Sequence, residues 1–118
     1  MSSVNEFKIL QKVQDMMSYG YPMLRQFPKS EKFSLAQDIR DSMNQLLRYT
    51  VTEEKKHSKK TTAENMDVEN GVLQSYIRIA NQLGLLSNHA YGVWSAKLVE
   101  IGKMIGGLLK SVNGRPLS

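Results

Sequence analysis

The chain has no cysteine among its 118 residues, which removes disulfides, thiolate metal sites and cysteine nucleophiles and leaves stability to packing. It has only two histidines, His57 and His89, each isolated in a polar stretch. Glu54 and His57 form one E-x-x-H, but carboxylate-bridged di-metal bundles need two such motifs and two further inward glutamates. This one lies within EEKKHSKK, whose lysines repel a cation. No phosphate-binding glycine loop, dinucleotide fingerprint or serine elbow is present, so nucleotide, hydride and acyl-transfer chemistry lack their residues. The chain therefore reads as a binding protein, not an enzyme, without cofactor or metal. No apolar run approaches the roughly 18 residues of a membrane span, and MSSVNEFKILQ lacks the basic and apolar regions of an export signal. That predicts a cytoplasmic location away from membranes. Nor does any useful stretch alternate with period two, so strands are not expected.

What is present is helical spacing. With 41% hydrophobic and 23% charged residues, the chain suits one soluble domain spanning 1–118. Tyr91, Trp94, Leu98, Ile101, Ile105, Leu108 and Val112 recur at steps of three and four, predicting a helix at about 88–112. Ser87 stands ahead as N-cap, and Gly114 and Pro116 supply a stop before a short tail, 115–118. Met66, Leu73, Tyr76, Ile77, Ala80 and Leu83 predict a helix at 62–83, opened by a Thr61/Glu64 capping box and ended by Gly84. So short a link to Ser87 makes these two antiparallel. Phe33, Ala36, Ile39, Met43, Leu46, Leu47 and Thr50 place another at about 30–55. Phe7, Leu10, Val13, Met17, Tyr21 and Leu24 place the first at 4–26, with a kink expected near Gly20 and Pro22. Residues 51–62, VTEEKKHSKKTT, read as a charged helical extension or a loop, in water either way. The fold class is all-α, an antiparallel up-down four-helix bundle.

The last helix carries a second seam of mostly small residues at the same spacing: Gly92, Ser95, Val99, Gly102 and Gly106. Glycine in a helix costs roughly 1 kcal/mol relative to alanine, so Gly92, Gly102, Gly106 and Gly107 together cost about 3–4 kcal/mol. Close approach by another helix would offset this. That helix belongs either to the same bundle or to a neighbouring subunit.

Sixteen Lys and Arg against eleven Asp and Glu give a net charge of +5. On the second helix, Arg40, Asn44, Arg48, Lys55 and Lys59 recur opposite the core, with Lys56 and Lys60 beside them. Lys97, Lys103 and Lys110 lie on the last helix and Arg78 on the third. Such a row can neutralise backbone phosphates without reading sequence, or it is a solvated face interrupted by Glu53, Glu54 and Glu100. Asp38 and Asp41 flank Arg40 as a solvated pair. Aromatic residues do not interleave with the lysines as a single-strand stacking platform requires.

The stretch FPKSEKFSLAQDIR at 27–40 resembles the second-helix signature of small bacterial four-helix-bundle proteins, some encoded in intervening sequences of ribosomal RNA genes. Those proteins continue with an IPxNIAEG-like stretch, whereas this chain continues DSMNQLLRYTVTEEKK. With Tyr21-Pro22, a basic second helix and IRIANQLGLLSNHAYGVWSAKLVEIGKMIGGLLKS at 77–111, it is similar to the accessory variability determinants of diversity-generating retroelements. The likeness covers roughly 8–113. It implies a homo-oligomer, a pentameric basic ring, that binds a reverse transcriptase and RNA or DNA during mutagenic copying of a template repeat. Carried over by position, the basic residues of helix two and Arg78 would face the polyanion or the polymerase. The alternative is an interaction module of the intervening-sequence type without nucleic-acid function.

Overall fold

A computed structural model describes residues 4–56 and 60–113, with side chains described over 7–56 and 60–112. His57, Lys59 and the expected stop and tail after residue 113 lie outside the described residues. Four helices follow one another: α1 (Val4–Arg25), α2 (Leu35–Lys56), α3 (Lys60–Gln82) and α4 (Asn88–Asn113). Each packs on two neighbours, α1 and α3 both lying against α2 and α4. The result is the expected antiparallel up-down bundle, elongated to 51 × 23 × 19 Å.

The α3–α4 turn follows from its residues. Gly84 adopts φ +77°, the left-handed conformation that glycine reaches without steric cost. The Leu85 N–H then donates to the Ala80 carbonyl at 2.9 Å and the Gly84 N–H to the Asn81 carbonyl at 3.0 Å. This Schellman pair satisfies carbonyls that the helix end would strand. Ser87 caps α4 as its position predicts, its Oγ accepting from the Ala90 N–H at 3.1 Å.

The α1–α2 connection is stiffer than a loop and later in its exit than the stripe suggests. Residues Lys29–Glu31 form a 3-10 turn, and α2 begins only at Leu35. Phe33, expected on the buried face, therefore sits in the turn and is 92% exposed, while Phe27 takes the buried aromatic position. Two other expected core residues are also exposed. Phe7 stands on the flank of α1, whose true core row is Ile9, Val13, Met16, Gly20 and Leu24. Leu83 lies beyond the last turn of α3, and Leu86 seals that end instead.

The charged 51–62 segment is helical on both sides of residues 57–59. Thr61 lies inside α3 and not ahead of it, because Lys60 is a good helix former and extends the first turn. Not all of the segment is in water: Glu53 is turned inward at 1% exposure beside buried Thr50.

α1 runs unbroken through Gly20 and Pro22, since buried Met16, Met17 and Leu24 hold it on both sides of the proline. Trp94 fills the space beside Gly20. Its indole is fully buried, its N–H donates to the Met16 sulfur at 3.3 Å, and Tyr19 meets its ring edge-on at 6.4 Å between centroids.

Candidate polyanion and partner surfaces

The predicted basic residues do not share one face. On α2, Arg48 and Lys55 are exposed, Arg40 is half-buried, and with Asn44 they fall in one outward row spanning about 80° of helix arc. The Tyr21 hydroxyl donates to Asn44 Oδ1 at 3.0 Å, which turns this row toward α1. Arg40 is held by a side-chain chain along α2: its guanidinium donates to Gln37 Oε1 at 3.0 Å, and the Gln37 amide donates to Asp41 Oδ1 at 2.7 Å. Lys55 and Lys56 occupy the last turn of α2, where cations complement the helix dipole, and Lys60 is the first residue of α3.

The remaining candidates lie elsewhere. Arg78 lines a groove of about 360 Å³ between α3 and α4, with Gly71, Ser75, Tyr91, Ser95 and Val99. Lys103 and Lys110 are exposed on α4. Lys97 instead leans toward α1, its ammonium 5.7 Å from the centre of the Tyr19 ring.

The small-residue seam divides in the same way. Gly102 serves the bundle: a methyl there would stand 3.1 Å from the Asn70 amide nitrogen, which itself donates to the Leu98 carbonyl at 3.0 Å. Gly102 thus lets α3 tie onto the α4 backbone. Gly92 and Gly106 face open space, Val99 is exposed and Ser95 half-buried. Gly106 is consequently the position where a larger side chain probes the outer surface without disturbing the bundle.

The opposite flank of α2 is acidic. Asp38, Asp41 and Glu69 line a groove of about 290 Å³ between α2 and α3, floored by Val72 and Tyr76. Glu69 accepts the Ser42 hydroxyl at 2.7 Å, so one carboxylate is fixed from beneath. Among the described residues, no three His, Asp or Glu side chains converge as a metal ion would require, and no helix is long and apolar enough to cross a membrane.

A model of the bAvd-like family matches residues 7–112, a span that takes in all four helices. The chain belongs to the bAvd-like family. No curated protein matches it.

Two features of this bAvd-like chain escape a search for stripes. One is the row of exposed apolar residues along α3, Val68, Val72 and Ile79, continued by Leu83 just past the helix end, which lies across the helix from its core row. Its spacing of four, seven and four is visible in the sequence, but the stronger core row at the same period masks it. The other is the ion pair between Lys12 on α1 and Glu100 on α4, at 2.7 Å. No local pattern pairs residues so far apart.

The hydrogen bond between them, followed by their opposite charges, holds the Glu100 carboxyl below its ordinary value of 4.5 and the Lys12 ammonium above 10.5. The carboxyl's contribution to stability is present above pH 4.5 and is lost as the pH falls through its lowered folded value. The ammonium's is present below 10.5 and is lost as the pH rises through its raised one. Both groups are exposed, so the effect on stability is small and screened by salt. Carboxyl NMR titration should find the Glu100 midpoint rising toward 4.5 in Lys12→Gln. An unmoved midpoint would mean that the pair does not persist in solution.

Proposed function

We propose that the chain is a non-catalytic, oligomeric accessory protein that binds a reverse transcriptase and nucleic acid during mutagenic retrohoming of a diversity-generating retroelement. The observation that carries this reading is the family match across residues 7–112. Its working location is the cytoplasm and its assembly a pentameric ring. The Arg40, Arg48 and Lys55 row supports a role in contacting phosphate, since exposed cations at helical spacing follow a polyanion backbone without reading bases. A ring multiplies that modest row, because repeated weak sites raise avidity with no new contact. The exposed α3 row supports a protein partner, as apolar rows of this kind mark interaction sites.

Co-expression with the reverse transcriptase of the same element tests the polymerase arm. The two proteins should co-purify at physiological salt, and RNA and DNA should bind with affinities that fall steeply between 50 and 200 mM salt. A chain that binds neither polymerase nor polyanion at low salt would be an interaction module of the intervening-sequence type instead.

A further inference from the structure

The α1–α2 turn displays an aromatic ring on a rigid mount. Buried Phe27 anchors one side of the turn. Backbone donors at Glu31, Lys32 and Ser34 close on Pro28, Lys29 and Glu31 at 2.9, 3.2 and 3.3 Å, and the Ser34 hydroxyl donates to the Glu31 carboxylate at 2.9 Å. Phe33 projects from this frame at 92% exposure, between exposed Lys29 and Lys32 and the start of α2. Burying a phenyl ring so fixed in water would be favourable, and its own chain does not do so.

The complement of that knob is on the same molecule. The α2–α3 groove offers Val72 and Tyr76 to an aromatic ring and Asp38, Asp41 and Glu69 to cations, and no Lys or Arg lines it. Both knob and groove lie toward the end of the bundle where α1 passes into α2, so copies standing side by side present them at similar heights.

Building on the oligomeric reading above, we infer that the α1–α2 turn of one copy docks into the α2–α3 groove of a second copy. Phe33 packs on Val72 and Tyr76, while Lys29 and Lys32 face Asp38, Asp41 and Glu69. Charge complementarity selects this groove over the α3–α4 groove, which carries Arg78. The same complementarity favours a protein over a polyanion as occupant, since phosphates would meet the lysines but offer Phe33 no apolar floor. Knob and groove are different patches, so the contact is head-to-tail, the kind that makes a ring where its rotation closes.

Two variants with exposed substitutions test it: Phe33→Ser with Lys32→Gln, and Asp38→Lys with Asp41→Lys. Helical circular dichroism verifies that each is folded, and light scattering across a concentration series reads the mass. Each variant alone should require at least about 30-fold more protein to assemble, the loss expected of a central aromatic or ionic anchor. An equimolar mixture should form a two-chain species, because one intact knob then meets one intact groove. Variants that keep the wild-type mass would overturn this contact while leaving the oligomeric reading standing, as would a mixture that fails to pair. A Phe33 variant that loses only RNA affinity would overturn it too, assigning the turn to nucleic acid. A wild-type chain that is monomeric at every concentration would overturn the oligomeric reading and this contact with it.

Discussion

Gly20→Ala should lower the stability of the bundle by about 1–3 kcal/mol, a shift of roughly 4 °C in melting temperature per kcal/mol. The new methyl would stand 2.5 Å from Cζ2 of Trp94 and 3.1 Å from the Met43 sulfur. Met43 is flexible and can give way. The indole cannot, being rigid, fully buried and tied to the Met16 sulfur. Alanine also brings a helix-propensity gain of about 1 kcal/mol, so the measured loss is the clash less that gain. Gly20→Val removes the ambiguity: it is β-branched and larger, and its loss should exceed that of alanine. The pairing with Trp94 is read by a double-mutant cycle. In a Trp94→Phe background the ring atoms nearest Gly20 are gone, so Gly20→Ala should cost less, with a coupling of about 0.5–3 kcal/mol. A Gly20→Ala protein that melts higher than wild type would show that the indole moves freely, and the close approach of α1 to α4 would cease to explain the glycine.

The second large effect concerns the row on α2. The triple variant Arg40→Gln, Arg48→Gln and Lys55→Gln should bind duplex DNA about 10- to 100-fold more weakly at low salt. Its dependence of log affinity on log salt should be shallower by about 0.9 for each phosphate contact removed. The loss should be uniform across sequences, since contacts to phosphate position a protein without specifying bases. Lys97→Gln is the matched control, because that ammonium sits over the Tyr19 ring and is half-buried. A triple variant with an unchanged salt slope would remove the α2 row from the binding surface. Equal losses from Lys97→Gln would point to net charge in place of a localised row. Folding should survive in all of these, as none of the four residues belongs to the buried core and charges that reach solvent contribute little to stability.

Much of this is legible in the amino-acid sequence. Helix number, order and approximate limits follow from apolar periodicity, because a buried stripe repeating every 3.6 residues is a one-dimensional signal. The cap at Ser87 and the exit at Gly84 are equally local, each resting on a side chain and backbone within five residues. Misreadings cluster where the helix phase is set by partners. Phe7, Phe33 and Leu83 belong to acceptable stripes, but α1 is rotated to bury Ile9 and Met16, while the turn and the helix end leave the other two outside. Glu53 reads as solvated because its neighbours are lysines and glutamates, yet its side of α2 faces the bundle.

Composition and spacing alone therefore determined an all-α bundle, its connections, and a surplus of positive charge without recognisable catalytic groups. Tertiary structure decided which surfaces those residues make. Gly20 became a site of close approach only when Trp94, 74 residues away in sequence, was brought against it. Gly102 was assigned to the bundle by Asn70, and its companions Gly92 and Gly106 were left to the exterior. The basic residues separated into an α2 row, an α3–α4 side and a lysine over a tyrosine ring, with an acidic groove between the first two. The physical reason is common to all of these. Helix formation depends on neighbours along the chain, whereas the rotation of each helix about its axis is set by packing against residues remote in sequence.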